Sequence, residues 1–256
     1  MAVLIINLGR QSKLNRDFYA MEEKLWLRFI FLFALGGVGV WFLSKDGTKE
    51  VKLTMRGKYS VYLLMSLVMF IASIYSDLYF LICLFICLVG LIEILALDLT
   101  NSMKISSISF FMILSCFFVY FGYISATYDA TIVLCLVLAL DGFSELFGKA
   151  FGKNAIAENI SPNKSWEGFL GGYFSVMIGY LFLRQMDVNI LGVLMITTIA
   201  IAALAGDLLA SYLKRKSSVK DFSEFIPFHG GFLDRFDSLI VASAIAAPFY
   251  MMGVKI

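Results

Sequence analysis

Apolar runs of about 18 residues or more recur along nearly the whole chain, and each is long enough, as a helix, to cross the roughly 30 Å hydrocarbon core of a bilayer. Lipid offers no water to satisfy backbone groups, so only helices or closed barrels can span it. The runs do not alternate with a period of two, and helices are therefore expected rather than a barrel. Spans are predicted near residues 26–43, 59–76, 78–97, 105–126, 130–147, 166–185, 190–210 and 237–254, about eight helices in all. Composition agrees. The chain is 60% hydrophobic and 16% charged, against roughly 45–50% apolar and 25% charged in a soluble domain. The expected fold is all-α: one polytopic integral membrane domain over residues 1–256, in which 1–140 form N-terminal helices of unassigned role and 141–240 form a core rich in motifs.

Four cysteines, Cys83, Cys87, Cys116 and Cys135, lie inside apolar runs and read as small packing residues, not as a disulfide framework or a zinc site. The opening MAVLIINLGRQSK has too short an apolar stretch, with no basic region before it, for a secretory signal. A net charge of +2 gives no reason to expect a nucleic-acid partner. The placement of charge says more. Charge is concentrated in residues 141–168 and 207–237, one helical hairpin apart, so both emerge on the same face. Their lysines and arginines put that face in the cytoplasm, with Lys45, Lys49, Lys52, Arg56 and Lys58 of segment 44–58 on the same side. Arg10, Lys13, Arg16 and Lys24 argue for a cytoplasmic N-terminus, which conflicts with an odd number of helices before residue 141. Either the early helix count is off by one or residues 1–25 form an interfacial helix. Glu93 and Asp98 fall at the wet end of the third span.

In AGDLLASYLKRK, residues 205–216, a turn of 100° per residue sets Asp207, Ser211 and Lys214 within about 60° of one another. Such a polar stripe on a membrane helix faces the protein interior or a wet cavity and marks function by default. The alternative for the basic end, Lys216 above all, is simple snorkelling. SSVKDFSEFIPFHGGFLDRFD follows, with the single histidine, His229, beside Gly230 and Gly231. Pro227 here and Pro162 upstream fix turns. The glycines allow positive φ and the close backbone approach that presents amides to phosphate oxygens. Asp234, Arg235 and Asp237 open the last span, where Asp237 reads equally as a helix cap or as a reacting group. Carboxylates suit Mg2+, which takes one or two of them and completes its shell from water and phosphate. Nearby Lys and Arg suit a polyphosphate. The first polar stretch has the same character. Asp141, Glu145 and Gly148 share one helix face, and Ser161, Lys164 and Ser165 supply donors just before a helix start that itself attracts anions. Gly168 and Gly172 form a small-xxx-small pair that points to close helix packing. No Walker loop or dinucleotide fingerprint is present.

In the order Ser211, Lys214-Arg215, Lys220-Asp221, His229-Gly230-Gly231 and Asp234-Arg235-x-Asp237, the sequence resembles the phosphatidate cytidylyltransferase family, also called CDP-diglyceride synthetases. Upstream, Ser161, Pro162, Lys164, Ser165, Trp166, Glu167 and Gly168 look like that family's Ser-Pro-x-Lys-(Ser/Thr)-x-Glu-Gly element. The likeness covers residues 141 to about 240. It departs at Phe228, where the family pattern has glycine, and over Asp141–Glu145, where that pattern reads Asp-Thr-x-Ala-Tyr; these mark a divergent branch. The resemblance implies transfer of the cytidylyl group of CTP to phosphatidate or a related anionic lipid, in a bacterial-type cytoplasmic membrane, with Mg2+ held by Asp207 and Asp234 and a second cation as an option. It further implies Lys214, Arg215 and Arg235 as catalytic clamps, and Asp141, Ser161, Lys164, Ser165, Ser211, Lys220, Asp221, His229, Gly230 and Gly231 as substrate contacts. A homodimer is also implied. The rivals are a CTP-dependent kinase of a polyprenol or other lipid alcohol, whose high-pKa acceptor wants a base, and a transporter, which would need charges through the bilayer depth.

Overall fold

The computed structural model describes residues 26, 27, 29–42, 44, 45, 48–125, 127–183, 189–226 and 230–254. These fold into eight helices: α1 (Phe29–Phe42), α2 (Lys49–Ile74), α3 (Ser76–Ala96), α4 (Asn101–Ile124), α5 (Thr127–Phe151), α6 (Trp166–Leu183), α7 (Ile190–Lys216) and α8 (Asp237–Met251). In α2, α3, α4, α5 and α7, five in number, the helix is long and apolar enough to cross a membrane, whereas α1 and α8 are shorter apolar helices. Many of the side chains these helices turn outward are Leu, Ile or Phe, among them Leu53, Leu88, Ile92, Ile105 and Ile113. So apolar an exterior is suited to contact with a membrane.

The expected spans match these helices in order, and the largest difference lies at α2. It starts at Lys49 rather than near 59, with Thr48 as N-cap accepting the Val51 amide at 3.4 Å. Lys49, Lys52, Arg56 and Lys58, expected in a connecting segment, therefore stand on the helix itself. Lys and Arg are good helix formers, and their stems can lie on apolar surface while the charge reaches water. At the other end of the chain α7 runs on to Lys216, past the expected stop near 210, so the whole Asp207, Ser211, Lys214 stripe lies on one continuous helix.

The all-α expectation needs one correction. An antiparallel ribbon of β1 (Ala155–Ala157) and β2 (Ser161–Ser165) joins α5 to α6, with Ala155 opposite Ser165 and Ala157 opposite Ser161. Helical periodicity gives no sign of so short a pairing, which is set by the turn between the strands, where the Ile160 amide bonds to the Ala157 carbonyl at 3.1 Å. Glu167, in the first turn of α6, holds the ribbon's entrance by accepting the Lys153 and Asn154 amides at 3.1 and 3.2 Å and the Asn154 side-chain amide at 2.6 Å. Ser165 caps α6 through the Gly168 amide at 3.1 Å.

Helix α5 lies along α6, and α8 packs on α7 and α4. Small residues set the first of these contacts. A Cβ added at Gly168 would sit 2.7 Å from the Ser144 carbonyl and 3.0 Å from Gly148 Cα, both backbone atoms that cannot swing aside. The small-xxx-small reading of Gly168 and Gly172 is thus a packing contact that also fixes the ribbon against α5. Gly168→Ala is expected to lower the thermal stability of the detergent-solubilised protein by about 1–3 kcal/mol, the usual cost of overpacking. Gly179→Ala on the same helix, where a Cβ meets nothing within 4 Å, should leave it unchanged or raise it slightly.

Candidate active site

The stripe on α7 meets two different partners. At its inner end Asp207 forms an ion pair with Lys164 of β2, and at its outer end Lys214 forms one with Asp234 of the short 3-10 helix Leu233–Arg235. Ser211 lies between them and is buried. Each acid is therefore matched to an ammonium from another element. The Phe222 ring lies 5.3 Å from Lys214 Nζ and closes its remaining side. Gly206 brings α8 onto α7 here, since a Cβ would fall 2.7 Å from the Asp237 carbonyl. That contact sets Asp237 beside Asp207, and Asp237 in turn feels the charges of Asp207, Lys164, Asp141 and Lys214. Asp141, on α5, shares the field of Asp207, Lys164, Arg235 and Glu145. Asp141, Asp207 and Asp237, from three helices, thus share the field of Lys164.

Asp234 is held on both of its oxygens. Its side chain is 1% exposed. One oxygen accepts from Lys214, and the other accepts the amides of Phe222 and Gly231, both at 2.9 Å. Asp237, buried in the first turn of α8, accepts the adjacent Ser238 amide at 2.7 Å, while the N-cap position itself is held by Phe236 and has no side-chain cap bond. Glu93, placed by its position at the wet end of a span, is in fact buried at 6% exposure. It accepts from the Ser223 hydroxyl at 2.6 Å and from the amides of Phe232 and Leu233 at 2.8 and 2.6 Å. The correction is physical: the return from α7 to α8 folds down over the end of α3 and covers it.

The remaining predicted residues divide. Arg215 donates to the carbonyls of Ile160 and Val219, both at 3.2 Å, and so ties the ribbon to the end of α7. Ser165 is the α6 cap, and Ser161 opens β2. Gly230 has φ +79°, and its amide bonds to Ile226 at 3.1 Å; the Gly231 amide goes to Asp234. The glycine amides are thus engaged within the protein, and what the pair supplies is the tight turn, with Asp221 packed so closely that a Cβ on Gly230 would lie 2.7 Å from its Cβ. Lys220 and Arg235 are exposed. His229 lies outside the described residues, as does the basic N-terminal segment that complicated the topology.

Among the described residues no three His, Cys, Asp or Glu side chains converge as a ready metal cage. Mg2+ does not require one, because it keeps waters and takes substrate phosphate oxygens beside one or two carboxylates. Asp207 fits that demand: its side chain is 34% exposed, and two further carboxylates enrich the negative field around it. Asp234, with three donors already on its two oxygens, keeps about one free lone pair.

The sequence model of the Cytidylyltransferase family matches residues 24–253. A phosphatidate cytidylyltransferase of Haemophilus influenzae is 43% identical over 127 residues, covering 46% of this chain and 44% of the relative. Those of Aquifex aeolicus and Thermotoga maritima are 37% and 38% identical over 129 and 128 residues, covering 50% and 46% of this chain and 48% and 47% of theirs. In these matches the chain spans about half the length of the curated relatives.

Removing one member of a buried ion pair strands the other, at a typical cost of about 3–5 kcal/mol. Lys214→Met is therefore expected to destabilise the protein by roughly that amount in a denaturation series. Adding Asp234→Asn should restore part of the loss, since the stranded charge goes with it. Strictly additive losses in the double variant would show that the two groups do not depend on each other.

Proposed function

Since the chain belongs to the cytidylyltransferase family, we propose that it transfers the cytidylyl group of CTP to phosphatidate, forming CDP-diacylglycerol and pyrophosphate at a membrane surface. The observation that carries this reading is the α7 stripe, which sets a half-open carboxylate, Asp207, and a buried ammonium, Lys214, seven residues apart at the polar end of a long apolar helix. A soluble nucleotide and a lipid phosphate can meet there without either leaving its own phase.

The acceptor is a phosphate monoester with a second pKa near 6, so at pH 7 it is mostly a dianion and needs no general base. Its oxygen forms a bond to the α-phosphorus of CTP while the bond to the β-phosphate bridging oxygen breaks, and pyrophosphate leaves with the electron pair. The obstacle is repulsion between anions, which is met by positioning and electrostatics. Lys214, fixed by Asp234 and Phe222, and the exposed Arg235 would stabilise charge on the phosphates. Lys164 would place a further positive charge from the ribbon side, and Arg215 would keep that ribbon in register. Asp207, with Asp234, would hold Mg2+, whose chemistry is to neutralise the triphosphate oxygens. Asp141 and Ser211 would line the nucleotide side. His229 would donate a hydrogen bond to phosphate or orient a carboxylate rather than take a proton.

The test is incubation of the purified full chain, in lipid, with CTP, Mg2+ and either phosphatidate or a polyprenol. Pyrophosphate and a cytidylylated lipid are expected with phosphatidate; release of CDP with the alcohol would replace this reading by a lipid kinase. Asp207→Asn should lower turnover about a hundredfold or more. Full turnover in that variant would remove Asp207 from the site. His229→Asn should keep substantial activity and an unchanged pH profile, whereas loss of one limb of the profile would make His229 an acid or base.

A further inference from the structure

The amides of Gly231, Phe232 and Leu233 lead into the 3-10 turn that carries Asp234 and Arg235. Successive N–H groups of this kind make a concavity suited to an anion. In this protein two internal carboxylates fill it: Asp234 takes the Gly231 amide, and Glu93 takes those of Phe232 and Leu233. Glu93 reaches this turn from α3, 139 residues before Phe232, in the half of the chain where the sequence carries no motif. The hydrogen bonds it accepts from Ser223, Phe232 and Leu233 all come from uncharged donors. A buried carboxylate satisfied in that way is costly compared with an apolar side chain of similar size, so packing alone does not account for it.

The surroundings are shaped to the same contact. Gly90, one turn before Glu93, lets Leu233 seat on α3, since a Cβ there would lie 3.1 Å from Leu233 Cδ1 and 2.8 Å from Phe111 Cζ. The Phe85 ring meets Phe232 edge-on at 5.7 Å. Gly231 separates the two acids, and a Cβ on it would fall 2.9 Å from Asp234 Oδ2 and 2.9 Å from Glu93 Oε1. Through Ser223, next to Phe222, Glu93 also reaches the strand of backbone whose amide holds Asp234.

We propose that Glu93 is a positioning residue for the reacting loop: its carboxylate gathers Ser223, Phe232 and Leu233 so that Asp234 stays aligned on Lys214 and Arg235 stays aimed at the phosphates. The inference rests on the reading of that loop as the site of cytidylyl transfer. It assigns the α3 end a part in the reaction that neither the motifs nor the family likeness indicates.

The experiment compares the full-length wild type, Glu93→Ala, Glu93→Gln and Ser223→Ala in the same lipid vesicles, with CTP, Mg2+ and phosphatidate, and follows amide hydrogen exchange over residues 230–236. Misplacement of reacting groups acts on the chemical step, so Glu93→Ala should lower kcat by about tenfold to a hundredfold while KM for CTP stays near the wild-type value. Glu93→Gln, which keeps one carbonyl oxygen to accept, should recover part of kcat, and Ser223→Ala should have the smallest effect. Exchange at Phe232 and Leu233 should quicken in Glu93→Ala. A folded Glu93→Ala with wild-type kcat, or one altered in KM alone, overturns the proposal. If Glu93→Ala does not fold, Glu93→Gln decides: a lower kcat at constant KM supports the role, and wild-type kcat removes it. Should the wild type form no pyrophosphate, the reading of the site fails, and unchanged exchange at both amides in a folded Glu93→Ala would independently sink the Glu93 contact.

Discussion

Lys214 and Asp234 are buried against each other at the polar end of α7, so their charges must be satisfied from within the protein. The architecture of the return between α7 and α8 follows from this. Asp234 can face Lys214 only if the chain leaves α7, doubles back and descends, and the descent is held by the amides of Phe222 and Gly231 on the same carboxylate. The Gly230 turn, with its positive φ, and the Phe222 ring over the ammonium are parts of one solution. A pair left half-made would be worse than no pair at all, which is why so many neighbouring groups are committed to it.

The second pair, Lys164 with Asp207, has a different character because it is partly open. It joins the ribbon to α7 and sits amid the charges of Asp141 and Asp237. One stripe therefore presents a closed acid–ammonium pair at one end and an accessible one at the other. The accessible end is where an incoming polyanion or cation can compete for partners.

Much of this was legible in the residues. The 100° periodicity put Asp207, Ser211 and Lys214 on one face, and one face they are, because a long continuous helix obeys that geometry regardless of its surroundings. Long apolar runs located the eight described helices for the same reason. What periodicity could not show is pairing between distant segments. It gave no sign that Asp207 and Asp234 would each be bonded to a lysine from another element. It also gave no sign of the ribbon, whose register depends on one turn. By sequence Glu93 falls at the wet end of the third span; its partners lie so far along the chain that only the folded structure shows what it touches.

The length of α7 has a consequence for how a lipid reaches this site. Its 27 residues, at about 1.5 Å each, make a rod roughly 40 Å long, about 10 Å more than the hydrocarbon it crosses. The surplus corresponds to the last two turns, which contain Ser211 and Lys214. Asp207 then lies near the level of the head groups themselves. On the proposed reading the acyl chains never have to be lifted from the leaflet: the lipid diffuses sideways to the site, and only the nucleotide crosses water to meet it.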